Sequence, residues 1–61
     1  MKFGDCVIIT SNGMLGIVLD RILPTSINNY MNAYLIVTME RLILVEPSHV
    51  EPLGYNITEE I

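Results

Sequence analysis

Apolar residues in this chain come in short β-branched runs, and within each run they occupy consecutive rather than alternate positions. The first run is Asp5-Cys6-Val7-Ile8-Ile9-Thr10, and the second extends from Met14 to Ile22 with Gly16 inside it. The third is Ala33-Tyr34-Leu35-Ile36-Val37-Thr38-Met39, and the fourth is Leu42-Ile43-Leu44-Val45. Runs this short, rich in Val and Ile and bounded by turn residues, read as β-strands. Met31 to Val45 is long enough for a helix, but Ile36, Val37, Thr38, Ile43 and Val45 are β-branched and no 3.6-residue period is evident.

In a small barrel alternate side chains point inward. Val7, Ile9 and Val18 are the expected inner set of the first two strands, which turns Cys6, Ile8, Ile17 and Leu19 outward. In the third strand Leu35 and Val37 alternate with Tyr34, Ile36 and Thr38, and either set would serve as the inside. In the fourth, Leu42 and Leu44 alternate with Ile43 and Val45. A solvated antiparallel strand carries polar residues on its outer side. Here both sides are apolar, so a covered outer patch is expected, comprising Cys6, Ile8, Ile17, Leu19, Leu42 and Leu44.

Chain length sharpens the point. Sixty-one residues form one domain, and such a domain buries only about 60% of its unfolded surface. The single cysteine excludes an internal disulfide, and one cysteine with one histidine does not make a four-ligand zinc site. Oligomerisation or an apolar core remains, and 51% of residues are apolar. Seven acidic residues against three basic ones give a net charge of −4. Lys2, Arg21 and Arg41 are scattered, which disfavours a phosphate-tracking surface and makes nucleic acid an unexpected partner. No apolar run approaches the roughly 20 residues of a membrane span, and Met-Lys-Phe-Gly-Asp does not open a signal peptide. A cytoplasmic setting with no membrane partner is expected, where a lone thiol is stable.

Between the strands, Ser11-Asn12-Gly13 is a turn signal. Gly16 suggests a bulge or sharp bend in the second strand. Pro24 to Asn32 reads as a surface loop and Glu40-Arg41 as a tight connection. Pro47-Ser48-His49-Val50 reads as a 3₁₀ turn, followed by Glu51-Pro52-Leu53 as a short edge strand. Residues 54–61 read as a C-terminal tail, leaving residues 1–53 as the domain.

The segments Phe3-Gly4-Asp5-Cys6-Val7-Ile8-Ile9 and Asn12-Gly13-Met14-Leu15-Gly16-Ile17-Val18 resemble the opening strands of a small SH3-like barrel of the KOW type. The end, Val45-Glu46-Pro47-Ser48-His49-Val50-Glu51-Pro52-Leu53, resembles that family's closing strand, one-turn helix and short strand. The resemblance covers residues 3–53 and implies a five-stranded barrel that binds rather than catalyses. Proteins of this shape bind RNA, DNA, RNA polymerase or other proteins. The basic residues of the nucleic-acid binders are missing, and without tryptophan the binding of Pro-rich peptides is not carried over. Length and acidity also resemble small accessory proteins of bacteriophages.

Chemically reactive residues are few. Cys6 and His49 are the one nucleophile–base combination, but no orienting group or oxyanion donor accompanies them, and Cys6 sits in an apolar strand. The acidic residues show no spacing that marks a general acid–base pair; Asp5 is expected to cap the turn before the first strand. Gly13-Met14-Leu15-Gly16 lacks the lysine and hydroxyl of a phosphate loop. In the long loop, Asn28, Asn29, Tyr30, Met31 and Asn32 are candidates for partner contact, with Tyr and Met suited to adaptable interfaces. Alternatively, Ile27, Tyr30 and Met31 plug the end of the barrel.

The expectation is a non-enzymatic protein-interaction module without cofactor or metal, homo-oligomeric, of the kind a phage uses to inhibit or regulate a host protein. One alternative is a KOW-like binder of nucleic acid or a transcription complex, which requires Lys2, Arg21 and Arg41 to converge. Another is a protein that sequesters a small ligand such as a nucleotide, lined by Asn28, Asn29, Tyr30 and Asn32.

Overall fold

The computed structural model describes residues 1–27 and 31–59. Five strands form: β1 (Asp5–Ile9), β2 (Leu15–Ile22), β3 (Ala33–Val37), β4 (Leu42–Val45) and β5 (Val50–Asn56). Short 3₁₀ turns occupy Pro47–His49 and Ile57–Glu59. The strands make one antiparallel sheet in the order β4-β3-β2-β1-β5. Among the described residues no helix is long and apolar enough to cross a membrane. The segment from Met31 to Val45 contains β3 and β4.

Local chemistry explains the connections. At the first turn Gly13 takes a φ of +74°, which side chains disfavour. Its N–H donates to the Ile9 carbonyl at 2.8 Å, and Asn12 Oδ1 accepts from the Met14 N–H at 2.9 Å. At the β3–β4 turn the Thr38 hydroxyl accepts from the N–H groups of Glu40 and Arg41, at 3.2 and 3.3 Å. The same hydroxyl donates to the Arg41 carbonyl at 3.1 Å. A buried threonine thus replaces the glycine that such a turn often uses.

β4 and β5 lie at opposite edges of the sheet, yet only residues 46–49 join them. Across a flat sheet four strand spacings amount to about 19 Å. A 3₁₀ turn rises about 2 Å per residue and cannot cover that distance. The sheet must therefore curl until its edges approach. The Thr10 N–H donates to the His49 carbonyl at 2.9 Å, tying the crossover to the end of β1. No ladder joins β4 to β5 among the described residues, so the sheet is open rather than a closed barrel.

The curl encloses a core of Val7, Ile9, Val18, Tyr34, Ile36, Val45 and Val50, with Met14 and Ile43 packed against it. The inner parity anticipated for β1 and β2 is the observed one, and β3 turns Tyr34, Ile36 and Thr38 inward. At one end of the core Arg21 lies over the Tyr34 ring, 4.7 Å from its centroid. Its guanidinium also donates to the Ile22 and Ala33 carbonyls at 2.9 and 3.1 Å.

Two sequence expectations are corrected. The bulge in β2 lies between Val18 and Asp20, not at Gly16. Gly16 is paired with Val7, and a Cβ there would lie 2.4 Å from Ile36 Cγ2, so its role is close packing. Second, β5 runs past Leu53 to Asn56, and the segment after it docks. The Ile57 N–H donates to the Gly4 carbonyl at 2.9 Å. The Asn56 amide, almost wholly buried, donates to the Phe3 carbonyl and Asp5 Oδ1, both at 2.8 Å. Its Oδ1 accepts from the Thr58 N–H at 2.7 Å and from the Thr58 hydroxyl. The two ends of the chain are clasped together, and Lys2 pairs with Glu59 across them.

Candidate interaction surface

Register builds a row of apolar side chains across the outer side of the sheet. Cys6 lies opposite Ile17, Ile17 opposite Val37, and Val37 opposite Leu42. A second row sets Leu35 against Leu44, and Ile8 stands opposite Leu15. The first row is thus apolar across four consecutive strands, while Asp20 and Glu51 stand on the same side opposite Leu35 and Ile8.

A groove of about 350 Å³ is cut into this side. Cys6, Gly16, Ile17 and Val37 lie along it, with Leu15, Met39, Leu53 and Tyr55 around them. Its lining contains no Asp, Glu, Lys, Arg or His. Leu15 is 61% exposed, Leu42 59%, Tyr55 56% and Met39 fully exposed. Leu44 and Leu53 are also exposed, and exposed apolar side chains gathered on one side of a sheet mark an interaction surface.

The residues anticipated for the outer patch occupy three environments. Leu42 and Leu44 are exposed, whereas Ile8, Ile17 and Leu19 are half-buried, with Leu19 at the β2 bulge. Cys6, expected to face outward, is on the outer side but buried at the groove. Leu53 and Tyr55 escaped the sequence reading because they fall around Gly54 in a stretch taken as an edge strand and tail. Their two-residue spacing was the available signal. Met39 was read as the end of a strand, and its full exposure follows from its place in the Thr38-stapled turn.

In the long loop, Asn28, Asn29 and Tyr30 lie outside the described residues. Met31 is half-buried and Asn32 exposed, the latter lining a second cavity of about 360 Å³ with Glu46, Pro47 and Ser48. Ile27 is exposed and does not plug the core.

The other reactive residues are dispersed. Cys6 pairs with Ile17, whereas His49 meets Thr10, four residues further along the strand direction, about 13 Å away. Lys2 pairs with Glu59, and Arg21 is engaged by Tyr34 and two carbonyls. Asp5 caps the N-terminal turn, accepting from the Lys2 N–H at 2.9 Å. Hydrogen bonds from the Asn56 amide and then from this N–H hold the Asp5 carboxyl below its ordinary pKa. No protein-family model, curated protein or solved structure matches this chain.

Proposed function

We propose that this chain is a non-enzymatic protein-interaction module that works through the outer side of its sheet. The observation carrying the proposal is the uninterrupted apolar row from Cys6 to Leu42, with the groove beside it. Burial of these apolar side chains supplies the driving force, which a partner must draw on to exceed association costs of roughly 4–15 kcal/mol. The proposed architecture is a small SH3-like barrel. The strand order and the short 3₁₀ crossover that draws the two edges together support it.

The nucleic-acid reading has less support, because two of the three cations are already engaged within the fold. A photo-reactive phenylalanine analogue at Leu15, compared with one at Ile27, tests the proposal in cells. Ile27 is 92% exposed and absent from the groove lining. Cross-linked protein adducts should form from position 15 and not from position 27. Equal or absent cross-linking from both positions would refute the reading.

A further inference from the structure

We infer that the free edge of β4 is a docking site for an extended segment of a partner protein, which adds a sixth strand to the sheet. The site is the edge and not the outer side, so it goes beyond the reading above and stands or falls separately.

Hydrogen-bond parity locates the open groups. In an antiparallel ladder a residue turns its N–H and C=O toward a given neighbour at every second position. The Thr38 N–H donates to the Arg41 carbonyl, so the next bonded rungs are Ile36–Ile43 and Tyr34–Val45. The Ile9 N–H donates to the Met14 carbonyl, and counting from there through Gly16, Ile17 and Val37 gives the same phase. Leu42 and Leu44 therefore turn both main-chain groups away from β3. β4 is the last strand on its side, and beyond the crossover β5 does not run alongside it. Among the described residues no backbone hydrogen bond reaches either leucine from beyond the edge.

The opposite edge is closed to the same use. The Thr10–His49 bond sets the phase of β1 and β5 and turns Pro52 outward, where it has no N–H to offer. A bulge between Asp5 and Val7 breaks that ladder further. β4 carries no proline, lysine or bulge.

Two donors and two acceptors at alternate residues are the pattern that an extended backbone satisfies. Leu42 and Leu44 are 59% and 50% exposed, so an apolar residue belongs opposite each. Glu46 follows β4 and is exposed, so a basic residue belongs beside it. A second copy matches poorly: two β4 strands paired about Ile43 bring Glu40 of each toward Glu46 of the other.

The probe is the capped, fluorescein-labelled peptide Lys-Thr-Val-Thr-Val-Thr, whose valines would lie opposite Leu44 and Leu42, with binding read by fluorescence anisotropy. In amide NMR of the wild type, the Leu42 and Leu44 N–H groups should shift, and their exchange should slow at least about tenfold at saturation. N-Methylation of both valines removes the donors that face β4 and should weaken binding about tenfold or more, whereas N-methylation of the middle threonine should not. Leu44→Pro gives up no bond within the sheet and should weaken binding to a similar degree. Should circular dichroism show that variant unfolded, the methylated peptides still decide with the wild type. Absence of peptide binding at millimolar concentration, or valine methylation no more damaging than threonine methylation, would overturn the inference. So would Leu42 and Leu44 amides already protected in a free chain that sediments as a dimer, which assigns the edge to a second copy. Cross-linking from position 15 is independent of these results, so the two readings fail separately.

Discussion

Replacing Gly16 with alanine tests the packing of the core through a single added methyl. The new Cβ would lie 2.4 Å from Ile36 Cγ2 and 3.0 Å from the Val37 carbonyl oxygen. Carbon atoms in contact prefer about 3.5–4.0 Å, so Ile36 must retreat by about 1 Å. Ile36 is completely buried within the core. Overpacking of this kind costs about 1–3 kcal/mol. Reduced freedom of the unfolded chain returns about 0.4–1 kcal/mol, leaving a net loss near 1–2 kcal/mol. At about 4–8 °C per kcal/mol for a domain this small, the melting temperature should fall by roughly 5–15 °C. Thermal and urea unfolding followed by circular dichroism measure it. The decisive arm is the double variant Gly16→Ala/Ile36→Ala, which removes the clashing Cγ2. Ile36→Ala should cost less in the Gly16→Ala background than alone, a coupling between touching residues. A Gly16→Ala protein as stable as the wild type, or strict additivity in the cycle, would refute the reasoning.

Removing the Thr38 hydroxyl with Thr38→Val keeps the side-chain shape but leaves the Glu40 and Arg41 N–H groups without their acceptor, and urea unfolding should register a loss of about 1–3 kcal/mol. Asn56→Ala opens the clasp between the chain ends and should cost about 2–4 kcal/mol in the same assay, with faster amide exchange at Ile57 and Thr58. Arg21→Met retains the stem over Tyr34 but loses the charge and two carbonyl contacts, for about 1–2 kcal/mol. The Asp5 carboxyl titrates below its ordinary 3.8 in the folded chain. Its stabilising contribution is therefore complete above that value and fades as pH falls through the lower folded pKa. Acid titration of wild type against Asp5→Asn should show a stability gap at neutral pH that narrows below about pH 4; a gap constant with pH would contradict the assignment.

The strands were legible because β-branched runs and turn residues are local signals. Asn12-Gly13 and Pro47 mark chain reversals whose dihedral requirements reside in those residues themselves. The inner parity of β3 was not legible, since Leu35 and Val37 are as apolar as Tyr34 and Ile36. The turn chemistry of Thr38 and the seat of Arg21 on Tyr34 distinguish them, and both need the fold. Gly16 was misread as a bulge because a missing side chain gives the same sequence signal whether the backbone bends or a neighbour presses close. Pro52 and Gly54 hid the length of β5: each breaks a strand in isolation, but an edge strand tolerates both. The outer patch was visible as excess apolarity, while its groove depends on Met39 and Tyr55, which the fold brings together from the β3–β4 turn and from β5.

The clasp at Asn56 has a mechanical consequence. β1 and β5 are antiparallel, and the Asp5–Asn56 pair lies at their open end, beside Lys2 and Glu59. Traction applied at Lys2 and Glu59 loads the ladder one rung at a time, in the direction of its hydrogen bonds, rather than all rungs together along the strands. The domain should therefore unzip under low force from that corner, beginning with the Asn56 amide and running toward the His49–Thr10 contact.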